Sequence, residues 1–322
     1  MPGPTVEVAC PSRLHFGMFS FGQPSARQFG GAGVMIDRPG LKLRVVPADC
    51  FSAAGPLEGR VELTVERLVQ AWHLHGPPAC RIEALDVPPE HVGLGTGTQL
   101  SLAVTAGLNA FLGGEALDAP SLASLAGRGG RSAIGTHGFV HGGFLVEGGK
   151  TGSEMLSPLE YRVALPDSWR FVVIGPYGEH GLFGEAERRA FGDLPPVPPA
   201  ITEQLRREVA EEMIPAAAAG QFERYSHSVH RFGCQAGMCF ATRQDGPFAS
   251  PRIERIVETI RDLGVRGVGQ SSWGPSVFAL LESESAASRF VETLRARLDS
   301  RDTLVITEPN RTGARITRAM TQ

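Results

Sequence analysis

Residues 93–103 read GLGTGTQLSLA, with Gly93, Gly95 and Gly97 at alternate positions, Thr98 and Gln99 next, and an apolar run from Leu100. Glycines let an oxyanion reach the backbone. A helix that starts just beyond them aims unpaired N–H groups and the positive end of its dipole at that anion. The Thr96 and Thr98 hydroxyls and the Gln99 amide add donors. Anion holding is therefore the chemistry suited to Gly95, Thr96, Gly97, Thr98 and Gln99. A tight turn before a capped helix is the plainer alternative. Three familiar phosphate loops do not fit. A dinucleotide fingerprint needs a third glycine, where Thr98 or Leu100 stands, and a preceding strand, where VPPEHV carries two prolines. A Walker loop needs a lysine that is absent here. A conventional phosphoribosyltransferase loop needs paired acids, and Glu90 is the one acid nearby.

Other stretches carry similar chemistry. Arg128 and Arg131 flank Gly129 and Gly130, with Ser132 next. Guanidinium forks and small-residue backbone together suit phosphate oxygens, while cations closing a helix are the alternative. GVGQSSWGP (267–275) offers Gln270, Ser271 and Ser272 on a glycine turn. Arg13 and His15 follow a first strand and share one face if the chain alternates, with Leu14 on the other. Arg13 can receive a carboxylate or a departing anion, and His15 can give or take a proton. His137 and His141 have a metal-like spacing, but glycines at 138, 142 and 143 predict a loop rather than a zinc-binding helix.

The elements that must position these residues are also legible. TVEVAC and KLRVVP (42–47) read as strands. Val65, Leu68, Val69 and Trp72 share a helical face that stops at Gly76. A helix begins near Thr98 and ends at Gly113 and Gly114. A short helix over SLASLA leads into the glycine-dense stretch. RFVVIGP (170–176) and TLVITEP (303–309) read as strands, and PPVPPA (195–200) as a stiff connector. Ser250-Pro251 caps a helix burying Ile253, Ile256, Val257, Ile260 and Leu263. Phe290, Leu294 and Leu298 mark another. The pattern loosens before Pro166, which predicts two units, 1–165 and 166–322, in an α+β arrangement.

The chain has 322 residues, 42% hydrophobic and 20% charged, with a net charge of −3. That balance argues against a general nucleic-acid or membrane-surface binder. The start, MPGPTVEVACPSR, shows no secretory pattern, and no apolar run is long enough to span a bilayer. Five scattered cysteines (Cys10, Cys50, Cys80, Cys234 and Cys239) without CxxC fit reduced thiols, so a cytoplasmic location is expected. A homodimer is the default assembly.

SRLHFGMF, GGAGVMID, GLGTGTQLSLA, GRGGRSAIGTHGFVHGGF and GVGQSSWGPSVFA, taken in this order, resemble the GHMP superfamily of small-molecule kinases. Within it they are most similar to the β-ribofuranosylaminobenzene 5′-phosphate synthase family. The resemblance implies a two-domain GHMP-like fold, an N-terminal α/β half with the glycine-rich anion loop and a ferredoxin-like C-terminal half. It implies decarboxylating phosphoribosyl transfer from phosphoribosyl pyrophosphate to 4-hydroxybenzoate or 4-aminobenzoate, feeding tetrahydromethanopterin biosynthesis. Pyrophosphate as leaving group implies Mg²⁺, with Glu187 or Glu147 as acids that could help hold it. Thr98-Gln99 stands where the kinases usually carry serines, and Gly17-Met18-Phe19 where they often carry Gly-Glu-His. Both departures weaken an ATP-dependent kinase reading. A phosphometabolite-binding protein without turnover is the third possibility.

Overall fold

The computed structural model describes residues 3–23, 26–181 and 184–320, apart from the side chains at 184 and 186–188. Strands β1 (Pro4–Ser20) and β2 (Phe29–Pro47) form a long antiparallel pair. The sequence shows only their outer ends as strands. The reason is local: Pro11 lies at a register shift between Cys10 and Ser12, and a second shift falls between His15 and Gly17. Bulges absorb residues that would interrupt a regular strand, and they bend it. β3 (Ser52–Ala54), helix α1 (Glu58–Ala71) and β4 (Cys80–Asp86) follow. Next come α2 (Thr96–Phe111), α3 (Ala119–Ala126), α4 (Ile134–His141), β5 (Phe144–Glu147) and β6 (Leu159–Val163). One part of β2 pairs with β4 and another with β5, which in turn pairs with β6.

The second sheet starts at β7 (Arg170–Gly175). Helical chain follows as α5 (Gly184–Gly192), α6 (Pro199–Arg207), a π-helical turn at Glu208–Met213, α7 (Ile214–Ala218), α8 (Phe222–Met238), α9 (Ala241–Gln244) and α10 (Pro251–Asp262). Then come β8 (Gly267–Gln270), β9 (Val277–Leu281), α11 (Glu284–Arg295) and β10 (Thr303–Thr307). The antiparallel order β10-β7-β9-β8 is that of a ferredoxin-like βαββαβ unit. Ser250 caps α10 as its sequence predicts, accepting from the Ile253 N–H.

The last strand, β11 (Arg315–Met320), returns to the first sheet and pairs with β1. The chain after 166 is therefore not confined to one half, against the expectation of a continuous 166–322 unit. The loop expected around His137 and His141 is in fact helix α4. Gly138 does not break it. A Cβ there would lie 2.2 Å from the Met35 sulfur, so glycine is what lets this helix rest on β2.

Apolar residues of β1, β2, α1 and α2 make one core, which includes Val8, Leu43, Leu68, Ala103, Val104 and Leu108. A second core joins the halves: Leu14, Phe16 and Val34 of the first sheet pack with Phe171 and Phe278 of the second and with Phe232 of α8. α2 is buried on nearly every side, and two of its hydroxyls bond back within the helix, Ser101 Oγ to the Gly97 carbonyl at 3.0 Å and Thr105 Oγ1 to the Ser101 carbonyl at 2.8 Å.

Candidate active site

Three distant stretches of sequence are fastened together at one point. Ser271 Oγ donates to the Gly93 carbonyl at 2.7 Å and accepts from the His15 N–H at 3.0 Å. The Ser272 N–H donates to the His15 carbonyl at 3.0 Å, and the Arg13 N–H to the Leu94 carbonyl at 2.9 Å. The two glycine loops touch backbone to backbone. A Cβ on Gly274 would lie 2.1 Å from the Gly93 nitrogen, and one on Gly93 (φ +91°) 2.3 Å from the Ser271 carbonyl oxygen. These glycines serve close approach as well as turning.

The junction borders a cavity of about 580 Å³. Gly95, Thr96, Gly97 and Thr98 form one wall, at the start of α2, whose N-terminus has no side-chain cap. Arg13, Arg60, Arg128 and Arg131 bring cations to it, and Ser132 and Ser272 also line it. Glu90 is the one carboxylate among the described lining residues, and it pairs with Arg60 at 2.7 Å. Arg128 donates to the Gly97 carbonyl at 2.7 Å and to Ser101 Oγ at 2.8 Å, so it also braces the loop. Burial, and then the positive charges of Arg60 and Arg67, pull the Arg128 guanidinium below its ordinary value. Arginine stays charged in such settings, so the crowded guanidinium groups make this wall electropositive. Two non-glycine residues lining the cavity, His91 and Ser272, hold left-handed backbone at φ 61° and 57°. Strain of this kind gathers at ligand sites.

Several expected donors point elsewhere. Gln99 is buried and donates to the Gly135 carbonyl at 2.8 Å. The Thr96 hydroxyl donates to the Pro89 carbonyl at 2.9 Å. Gln270 accepts from the Ala249 N–H and donates to the Ser272 and Gly274 carbonyls. Ser271 is the fastener described above. Ser132 Oγ donates at 2.6 Å to Glu147, a fully buried carboxylate that also accepts from the Ala133 N–H at 2.7 Å. Burial raises the Glu147 carboxyl above its ordinary value. It anchors the wall from behind and does not line the cavity. His15 is buried and lines a neighbouring apolar pocket; burial, and then Arg13, holds its imidazole well below the ordinary value.

The sequence reading missed Arg60 and His91. Arg60 sits in the first turn of α1, outside any glycine stretch, and no spacing ties it to the loop; the fold alone brings it there. His137 Nε2 lies 2.8 Å from the Ser157 carbonyl and the ring stacks on His141. Among the described residues no three His, Cys, Asp or Glu side chains gather to hold a metal. The Glu187 side chain lies outside the described residues. No helix among them is long and apolar enough to cross a membrane.

Models of the GHMP kinases N terminal domain and the GHMP kinases C terminal domain match residues 60–143 and 213–300, together just over half of the chain. Curated relatives named Beta-ribofuranosylphenol 5′-phosphate synthase match along most of its length. That of Methanothermobacter thermautotrophicus is 29% identical over 86% of this chain and 89% of its own. That of Archaeoglobus fulgidus is 28% identical over 87% and 89%. Among solved structures, the phosphomevalonate kinase of Streptococcus pneumoniae superposes with a TM-score of 0.69 at 12% identity, covering 95% of this chain and 99% of that one. The homoserine kinase of Cytophaga hutchinsonii gives 0.65 at 16% identity, covering 97% of each. At such identities these two structures speak to the fold alone. The chain belongs to the GHMP superfamily, as an enzyme of the branch that holds these synthases.

Proposed function

We propose that the protein transfers the phosphoribosyl group of phosphoribosyl pyrophosphate to a para-substituted benzoate, releasing CO₂ and pyrophosphate and forming a C-glycoside. The observation that carries this reading is the likeness, over most of the chain, to synthases named for a ribofuranosylphenol 5′-phosphate. A phenol product favours 4-hydroxybenzoate over 4-aminobenzoate as acceptor. The product would feed biosynthesis of a tetrahydromethanopterin-type carrier.

The cavity supports the donor half of the reaction. As the bond from the anomeric carbon to pyrophosphate breaks, negative charge grows on the leaving group and positive charge on the sugar. Arg13, Arg60 and Arg128 line the cavity with the α2 N-terminus, which supports the reading that they hold the growing anion. Arg131 continues the same wall and suits the 5′-phosphate. Positioning two anionic substrates on one cationic surface supplies the rest. Bound Mg²⁺ would neutralise pyrophosphate charge as it leaves. It keeps several waters and takes one or two carboxylates plus substrate phosphates, and Glu90 is the lining carboxylate that fits that role.

The test mixes purified protein, phosphoribosyl pyrophosphate and Mg²⁺ with carboxyl-labelled 4-hydroxybenzoate or 4-aminobenzoate. Labelled CO₂ and pyrophosphate released in equal amounts are expected, faster with the hydroxy acid. No labelled CO₂ from either acid overturns the reading. A parallel incubation with ATP and small-molecule alcohols is expected to form no phosphorylated product.

A further inference from the structure

Next to the arginine-lined cavity lies a smaller pocket of about 50 Å³. Met18, Ser272 and Trp273 line both spaces, so the two are contiguous. Its walls are aromatic and small: Phe191, Phe240 and Phe248 line it together with Gly233 and Ala236 of α8. Two glutamines line it, and both have their amides committed. Gln244 accepts from Trp273 Nε1 and donates to the Gly237 and Gly246 carbonyls, and Gln270 bonds as described above. His15 differs. It is 1% exposed, it lines this pocket, and its Nε2 has no hydrogen-bond partner among the described residues. A buried polar atom without a partner costs free energy unless a ligand satisfies it.

We infer that this pocket receives the para-substituent edge of the acceptor ring, and that His15 Nε2 accepts the substituent's proton during transfer. The inference rests on the transfer reading above. Its geometry follows from the ring: the carbon bearing the carboxylate must face the anomeric carbon in the cationic cavity, so the para group points away from that cavity. A volume of 50 Å³ suits a hydroxyl and the adjoining ring edge. A whole benzene ring needs about 150 Å³, so the remainder of the ring stays at the shared mouth beside Met18 and Trp273.

A proton acceptor at this position spares the ring the positive charge it would otherwise carry between attack and loss of CO₂. The C1′–O bond breaks with its pair going to pyrophosphate. The ring carbon bearing the carboxylate bonds to C1′, drawing electrons from the para oxygen, whose proton passes to His15. The resulting dienone loses CO₂, the C–C pair restores the aromatic ring, and the oxygen recovers its proton from His15. No oxidant, reductant or net proton is consumed. Burial keeps the imidazole neutral, with a nitrogen able to accept. Pyrophosphate and carboxylate arriving nearby add negative charge that strengthens it as a base.

The experiment compares wild type with His15→Gln and Gly233→Leu, the second directed into the pocket from α8. For His15→Gln, kcat with 4-hydroxybenzoate is expected to fall about 100-fold or more, with the Kd for phosphoribosyl pyrophosphate changing less than about twofold. For Gly233→Leu, KM for the acid is expected to rise about tenfold or more at unchanged donor affinity. A His15→Gln enzyme that keeps more than one-tenth of the wild-type kcat overturns the proton role. If that variant loses donor binding, the Gly233→Leu result decides, and an unchanged KM for the acid overturns the subsite. Calorimetric titration of 4-hydroxybenzoate into the pyrophosphate-loaded protein separates the two readings. Binding that Gly233→Leu abolishes, in a wild type that releases no CO₂, sinks the transfer reading and keeps the subsite. No binding in such a wild type sinks both.

Discussion

Arg128 does two jobs that pull against each other. It braces the Gly97 carbonyl and Ser101, and it adds charge where Arg60 and Arg67 already crowd it. On the proposed function, the pyrophosphate of the donor would ease the conflict by pairing with that charge. Arg128→Ala is expected to lower kcat/KM for phosphoribosyl pyrophosphate about 10- to 100-fold, the size of one or two charge-assisted hydrogen bonds. Initial rates against donor concentration check this; a loss under threefold would show that the guanidinium does not meet the donor. Gly274 is a second residue with no slack. Its added Cβ would meet backbone atoms of Gly93 at 2.1 and 2.3 Å, and backbone cannot rotate away as a side chain can. Gly274→Ala should force the loops apart, lowering Tm by several degrees in a thermal melt and lowering turnover with it.

Glu147 ties α4 to the cavity wall. Its carboxylate meets Ser132 Oγ and the Ala133 N–H at the start of that helix, where the dipole favours negative charge. Burial outweighs these contacts and raises the carboxyl above its ordinary value of 4.5. The sign follows directly. The folded state binds more protons than the unfolded state between 4.5 and the raised value, so this group's contribution falls as pH rises through that window. Thermal melts from pH 4.5 upward should show that decline in wild type and its absence in Glu147→Gln, while other groups shift both proteins alike. Equal pH slopes for the two would refute it. At this scale some elements are plain in the sequence, such as the Ser250 cap of α10 and the buried face behind it. α4 is not, because its glycines read as breakers until the contact of Gly138 with Met35 is known.

Across the whole molecule, β1 links everything. It carries Arg13 to the cationic cavity and His15 to the apolar pocket, and β11 covers its outer edge. Deleting residues 315–322 removes six paired positions and leaves β1 as an open edge. The truncated protein is expected to melt at lower temperature and to aggregate at concentrations where the full chain stays monodisperse, as light scattering would show. An unchanged melting temperature would mean that β11 merely decorates the sheet.

The residue types that favour anions, their glycine spacing and the local punctuation of helices are properties of short stretches, so GLGTGTQLSLA, GRGGRS and GVGQSSWGP could be picked out before any fold was known. The order of those stretches was enough to identify the superfamily. Which donors face the cavity was not legible, because that depends on partners far along the chain. Gln99 turns to Gly135, Ser132 to Glu147, and Ser271 to Gly93. Arg60 enters the site from a helix with no motif, and the apolar pocket exists only where β1, α8 and the late glycine loop converge. Local chemistry is written in neighbouring residues; convergence is a matter of long-range packing, and only the tertiary structure decides it.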